Sequence, residues 1–456
     1  MFLHREAELE RLHTLFKKDK MTGFVYGKRR VGKTTMIYEA LKSFDGLLID
    51  YECLKTSMDG NAKGFEDRVK KVLKNPYLSF PRFEDAFAYL STLPDKIMVF
   101  IDEYSYLKVF EAFKGETDSR FQNIVDHLGS HLSLILSGSY VGMMKDTLDG
   151  KNPLYGRFDF IAHLLDFPYD EAADFHPERD YLSQIDTYLV FGGGALANRA
   201  ILPGASLKEN ISASLLENDA SVRNYCDSLV LDELRSKEPA EQILAALGNG
   251  KKKYSELESA LRMERTGYLA KLLAPLLDMG IVTKTAPINQ KDNPRCTFYE
   301  ISDNLLRFYY TYVYGQGNLI AKLGTNAFFA SYIEPSLRDY LSRRFESLSQ
   351  SYLSRLAQRG DLPGVLDIGR YWYDDPLHHV NGEFDAAVEY KDGYDLFEVK
   401  YLKDPLDKTL LNKELATMKA VPIAGKVKRY GFFSLRGFSY QRDDVLLISG
   451  ADFYRK

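Results

Sequence analysis

Apolar positions along this chain change their rhythm twice. The first stretch carries short, nearly unbroken apolar runs at Thr22-Gly23-Phe24-Val25-Tyr26, Lys96 to Ile101 and Leu132-Ser133-Leu134-Ile135-Leu136. Runs of this kind predict strands buried on both faces, as in a parallel sheet covered by helices. Thr35 to Leu41 opens a helix directly after the first of them. Residues 166–235 then read as helices with charged outer faces, carrying Glu171, Asp174, Glu178 and Asp180. From Pro239 the pattern gives a helix over Glu241 to Leu247, a Gly248-Asn249-Gly250 turn and a second helix over Tyr254 to Leu261. A third helix over Thr266 to Met279 would bury Leu269, Leu272, Leu273, Leu276 and Leu277, and Gly280 stops it. Ile281 to Lys284 and Thr297 to Ile301 form a hairpin around a polar loop, so this module reads as a winged helix. A further helix spans Leu337 to Leu356, and strict alternation returns in Glu383 to Tyr390 and Tyr394 to Tyr401 around the Lys391-Asp392-Gly393 turn.

Length and composition bound the picture. A chain of 456 residues exceeds one core and suggests roughly two to four domains. Its 45% hydrophobic and 27% charged residues are ordinary globular usage, and a net charge of −4 gives no global pull toward nucleic acid or membrane. Cys53, Cys226 and Cys296 are scattered and odd in number, which argues against a disulfide framework or zinc cluster and for a reducing, cytoplasmic setting. The opening residues turn charged at once, excluding a secretory signal, and the most apolar stretches are far too short to span a membrane.

The segment Gly27-Lys28-Arg29-Arg30-Val31-Gly32-Lys33-Thr34 fits G-x-x-x-x-G-K-[ST], placed between a strand and the helix that takes up Thr35. Its glycines let backbone N–H groups turn toward phosphate, and the helix N-terminus adds partial positive charge. Lys33 would reach the β/γ-phosphates of ATP, and the Thr34 hydroxyl would hold Mg²⁺. About seventy residues later the second apolar run ends in Asp102-Glu103. Asp102 would hold the Mg²⁺ shell and Glu103 would polarise the attacking water. Ser137, in Ser137-Gly138-Ser139 after the third run, is either a γ-phosphate sensor or a helix cap. Arg157, in Leu154-Tyr155-Gly156-Arg157, is either an arginine finger or a surface ion-pair partner.

These motifs resemble the archaeal-type P-loop ATPases, a branch near the AAA+ and STAND nucleotide switches. Phe2 to Leu12 is similar to the family's opening helix, and GKRRVGKT, VFIDEY, LILSGS and LYGR follow in family order. Tyr188 to Ala195 (YLVFGGGA) resembles its Y…GG-x-P segment without the proline, and it lacks the spacing of a dinucleotide-binding loop. The resemblance implies a helical lid over the nucleotide and an ATP-driven or ATP-gated conformational switch. Ile301 to Tyr310 resembles the helix that leads to the family's last domain. Its dense Tyr and Phe residues read as core.

Two further features bear on nucleic acid. Lys251, Lys252, Lys253, Lys284 and Lys291 would supply phosphate contacts if the winged helix enters a DNA groove; alternatively the module is an intramolecular bracket. In the last hairpin Glu398 and Lys400 share a face, Glu383 and Asp385 share another, and the turn can bring Asp385 beside Glu398. Asp385 and Glu398 would bind Mg²⁺ or Mn²⁺ through oxygen, and Lys400 would orient or deprotonate the attacking water. Equally, Asp385, Glu398 and Lys400 make a solvent-facing ion-pair ladder. The D-x(12)-E-x-K spacing resembles the PD-(D/E)-x-K nuclease superfold, although Phe384 replaces the usual proline. In that resemblance Glu346, after Phe345, supplies a further metal ligand. His378-His379 reads as loop.

The expectation is an α/β chain with a P-loop parallel-sheet core over residues 1–165 and a helical lid over 166–235. A winged helix over 236–300 and a C-terminal α/β restriction-endonuclease-like domain over 301–456 complete it. The expected function is a Mg²⁺-dependent ATPase whose nucleotide state gates a metal-dependent nuclease acting on nucleic acid, DNA rather than RNA. The rivals are a non-catalytic STAND-like switch with a partner-binding C-terminal domain, and an ATP-dependent winged-helix regulator. An arginine acting in trans would require a nucleotide-dependent homo-oligomer.

Overall fold

The computed structural model describes residues 3–233, 237–263, 267–375, 380–421, 423 and 426–455. His378 and His379 lie outside the described residues. Its chain divides into two compact units, up to Asp166 and from Phe167 onward.

The first unit is built on strands β1 (Thr22–Tyr26), β2 (Leu47–Glu52), β3 (Ile97–Asp102), β4 (Leu132–Gly138) and β5 (Phe160–His163). They pair in the order β2-β3-β4-β1-β5, every pair parallel. Every residue of β1, β3 and β4 is buried, which is why those strands read as apolar runs rather than alternating ones. Leu12, Phe16, Val25, Met36, Ile37, Phe100, Ile135 and Phe160 join the helices Glu6–Phe16 and Lys33–Leu41 to the sheet in one core. Because all strands run the same way, Tyr26, Asp102 and Gly138 finish at one edge.

The second unit opens with helices, including Tyr181–Phe191 and Ser221–Glu233, in the segment expected to be helical. Asp180 caps the first of these by accepting from the Ser183 amide at 2.7 Å. The Gly192-Gly193-Gly194 run has a packing cause: a Cβ on Gly193 would lie 1.7 Å from the Phe167 carbonyl oxygen. Helices Lys237–Gly248, Tyr254–Ala260 and Tyr268–Asp278 follow, with the antiparallel hairpin β6 (Val282–Thr285) and β7 (Phe298–Ile301). Phe308, Tyr309 and Tyr310 of the helix Asn304–Tyr312 are buried, as core aromatics.

After the long helix Glu334–Arg359 comes a five-stranded mixed sheet. Its strands are β8 (Val365–Asp375), β9 (Val380–Tyr390), β10 (Gly393–Lys400), β11 (Val427–Ser434) and β12 (Leu446–Ser449). They lie in the order β12-β11-β10-β9-β8, antiparallel between β8, β9 and β10 and parallel between β10, β11 and β12. Strand β8 has no counterpart in the sequence reading. The helix Lys408–Ala420 crosses between β10 and β11 and buries Leu411, Leu415 and Met418 with Leu396 and Phe432.

Candidate functional site

The loop between β1 and the helix Lys33–Leu41 has the backbone its sequence demands. Gly27 has φ 156°, and a Cβ there would stand 2.3 Å from the Leu164 carbonyl oxygen. Arg30 is left-handed at φ 62°, and Gly32 has φ 102° with open space where a side chain would project. Left-handed turns of this kind expose consecutive N–H groups, and the helix N-terminus follows at Lys33. Lys33 is buried, with its ammonium donating to the carbonyls of Gly27 at 2.9 Å and Lys28 at 3.1 Å and to Ser139 Oγ at 3.2 Å. Lys28 pairs with Asp166 at 2.5 Å, and Arg29 donates to the Tyr106 hydroxyl. Val31 is buried and Thr35 stands exposed on the first helical turn.

Thr34 Oγ1 donates to Asp102 Oδ2 at 2.6 Å. Ser137 donates to the other oxygen of Asp102, and Ser139 grips Glu103 through both its hydroxyl and its amide, the latter at 3.1 Å. Since β4 lies between β1 and β3, its polar tip stands between the phosphate loop and the acids. Sequence reasoning singled out Ser137; Ser139, two residues on, is the hydroxyl that touches both Lys33 and Glu103. Glu103 holds a left-handed backbone at φ 53°, a conformation rare outside glycine and concentrated at functional sites.

Glu52 ends β2 directly beside Asp102. Burial, then the charges of Asp102 and Glu103, push the Glu52 carboxyl above its ordinary range. The Asp102 carboxylate beside the Thr34 hydroxyl offers oxygen donors of the kind a hard divalent cation takes. The residues therefore fit Mg²⁺ with a nucleotide: Thr34 and Asp102 would hold the ion, and Lys33 with the loop amides the phosphates. Arg157 is engaged elsewhere in the same unit. Its guanidinium pairs with Asp126 at 2.8 and 3.1 Å and donates to the Pro153 carbonyl at 2.7 Å.

In the second unit the β9–β10 register pairs Ala386 with Phe397 and so carries Asp385 to the level of Glu398. Asp385 Oδ2 accepts from the Val399 amide at 2.9 Å. Lys400 donates to Glu398 at 3.2 Å and pairs with Glu414 of the crossing helix at 2.9 Å. Burial raises the Asp385 carboxyl, and burial with the charge of Asp385 raises Glu398 to about 7. Glu346, on the long helix, is raised to about 7 by burial and by Asp385, and Arg370 of β8 approaches it at 3.4 Å. Asp385, Glu398 and Lys400 thus come together, and Glu346 shares their electrostatic field. Among the described residues no group of three or more His, Cys, Asp or Glu side chains is arranged to hold a metal ion. The donors on hand for a metal are the Asp385 and Glu398 carboxylates, with Glu346 turned toward Arg370. Arg370, Gln350 and Glu414 escaped the sequence reading; Gln350 donates to the Asp385 carbonyl at 2.6 Å.

Two of the lysines considered for phosphate contact pair with acids. Lys251 pairs with Glu383 at 3.2 Å, and Lys291 pairs with Asp367 at 2.7 Å and Glu389 at 3.0 Å. The exposed face of the Tyr268–Asp278 helix offers Tyr268, Lys271 and Asp278, not a basic stripe.

Comparison with known proteins agrees with the first site. Residues 2–187 match an ATPase domain predominantly from Archaea, and residues 309–415 match a family of archaeal and bacterial proteins of unknown function. The first unit carries an archaeal-type P-loop ATPase domain. An uncharacterized protein of Methanocaldococcus jannaschii is 28% identical over 466 residues, covering 99% of this chain and 100% of that protein. An uncharacterized ATP-binding protein of Pyrococcus horikoshii is 24% identical over 308 residues, covering 58% of this chain and 95% of that protein. The Walker-type ATPase of Pyrococcus abyssi is similar at 20% identity with a TM-score of 0.49, over 68% of this chain and 96% of that one. No helix among the described residues is long and apolar enough to cross a membrane.

Proposed function

We propose that this protein is a Mg²⁺-dependent ATP switch in which hydrolysis in the first unit sets the state of the second. The observation that carries this reading is the Thr34–Asp102 contact at 2.6 Å beside a Glu103 held by Ser139. Asp102 would hold the cation that accompanies the nucleotide, and Glu103 would polarise the attacking water. A passive nucleotide binder needs the first residue and not the second. The ATP-binding description of the Pyrococcus horikoshii relative supports the same ligand. Within this reading the helices after Phe167 serve as a lid, and the three helices with the β6–β7 hairpin serve as a winged-helix bracket. Phosphate release from ATP by the purified chain, with and without Mg²⁺, tests it; absence of Mg²⁺-dependent turnover sinks the hydrolytic switch.

A second reading concerns the β9–β10 site, which we assign as a metal-dependent site acting on a nucleic-acid backbone, DNA before RNA. It is supported by Asp385 and Glu398 at one level of the hairpin with Lys400 at 3.2 Å from Glu398. Bound Mg²⁺ or Mn²⁺ would supply Lewis acidity there; the acids would hold it and Lys400 would place a water. The test is cleavage of labelled linear, circular and branched DNA and of RNA with Mg²⁺ or Mn²⁺, beside Lys400→Ala. That variant is expected to lose cleavage and keep ATP turnover. Cutting that survives it refutes the site, and no cutting by the parent chain leaves the second unit as a partner-binding domain.

A further inference from the structure

Within the second unit, the β6–β7 hairpin module and the C-terminal sheet enclose a polar cavity of about 250 Å³. Three cations, Lys251, Lys284 and Arg370, line it against three carboxylates, Glu300, Asp367 and Glu383. Lys284 makes no ion pair among the described residues. Arg370, only 17% exposed, is a charge that burial would penalise without an anion beside it. Arg370 donates to Glu346 at 3.4 Å and faces Glu383 at 3.8 Å, and the charges of these two with Glu300 and Asp385 outweigh its burial. Tight guanidinium–oxyanion contacts lie at about 2.7–2.9 Å, so both of these are long.

Glu383 is itself 37% exposed, and nothing in the core forces it into the cavity. Its carboxylate sits at 3.2 Å from Lys251 and 3.8 Å from Arg370, where the oxygen of a phosphate would bridge the same cations. Two residues along the same strand, and so on the same face, is Asp385. Gln350 ties this wall of the cavity to the Asp385 backbone. Phe298 offers an aromatic wall, with the ammonium groups of Lys251 and Lys253 at 5.0 and 5.5 Å from its ring centroid. The volume lies below the roughly 300–1,000 Å³ that encloses a drug-sized molecule, which suits one phosphate and its sugar.

We propose that this cavity binds the phosphate of one nucleotide unit, and that the Glu383 carboxylate is its built-in competitor. A phosphate takes Lys251 and Arg370, Glu383 swings out to solvent, and the bound unit lies next to Asp385. For a nucleic-acid strand this rests on the reading of the β9–β10 site; for a free nucleotide it does not.

Fluorescence anisotropy of a short labelled single-stranded DNA, on the full chain in EDTA, tests it without calling on cleavage. Glu383→Gln is expected to tighten binding about fivefold, the upper end of what an exposed ion pair contributes. Lys251→Gln is expected to weaken binding and to lower the slope of log affinity against log salt by about one. The double variant is expected to lose the gain of Glu383→Gln. Cytidine monophosphate that displaces the DNA at equal concentration assigns the cavity to a free nucleotide; failure to displace it assigns a strand. DNA binding left unchanged by both single variants overturns the proposal and spares the nucleic-acid reading. Absence of DNA binding in every form overturns the proposal and leaves the metal-dependent reading to the cleavage assay.

Discussion

The Thr34 hydroxyl and the Asp102 carboxylate, 68 positions apart, meet at 2.6 Å. That hydrogen bond joins the two oxygen donors that would hold a divalent cation there. The loop after β1 and the end of β3 are thereby tied to each other by one side-chain contact.

Lys33→Ala is expected to lower ATP turnover by at least about a hundredfold, the scale of losing one donor to developing charge. Lys33 donates to the Gly27 and Lys28 carbonyls, so the variant also leaves the loop less braced. Phosphate release at the parental rate would remove the P-loop assignment.

Glu103→Gln is expected to separate binding from hydrolysis. Ser139 can still donate to an amide oxygen at this position, so the loop keeps its shape while the base is lost. Calorimetry should find ATP affinity within a few fold of the parent and phosphate release down at least about a hundredfold. Equal losses in both would mean that Glu103 is structural.

Asp186 gives a pH dependence whose sign is fixed. Burial raises its carboxyl from 3.8 to about 6, and the Tyr401 hydroxyl donates to it at 2.5 Å. A raised carboxyl folds best protonated, so its contribution is complete below the unfolded value and is lost as pH rises through about 6. Asp186→Asn is expected to melt higher than the parent above pH 6.5, by at most roughly 3 kcal/mol, and equally near pH 4. Melting curves that stay parallel across this range would refute the assignment.

Gly193→Ala is expected to cost at least about 2 kcal/mol or to prevent folding, since its Cβ would lie 1.7 Å from the Phe167 carbonyl oxygen. Gly204→Ala is a useful comparison, with a left-handed φ of 71° but no atom within 4 Å of the added carbon. Similar melting temperatures for the two variants would show that the clash relaxes freely.

The nucleotide site was legible because its residues are neighbours in sequence. Gly27 to Thr34 builds a loop from local backbone rules alone, and β1, β3 and β4 announce themselves by burial on both faces. Asp385, Glu398 and Lys400 were legible because a two-residue period and a tight turn fix their register. Strand β8 was not, and its register shifts between Val365 and Asp367 and between Gly369 and Tyr371 explain why. Each shift breaks the alternation by which a strand is read, and Arg370 sits at the second. Glu414 and Gln350 lie on helices whose placement against the sheet no local pattern specifies. The ion pairs of Lys251 and Lys291 were hidden for a related reason: a solvated lysine and one facing a distant carboxylate look alike in sequence.

On β10 the residues that hold the sheet and those that would do chemistry alternate. Phe397 and Val399 are buried, while Glu398 and Lys400 between and beyond them keep about a fifth of their side chains exposed. Asp385 is likewise set between Phe384 and Ala386, both fully packed. The scaffold therefore makes few demands on its acids, and a descendant could exchange any of them for a neutral residue and keep its shape. Such a domain can outlive its activity, surviving as a docking module long after its chemistry is gone.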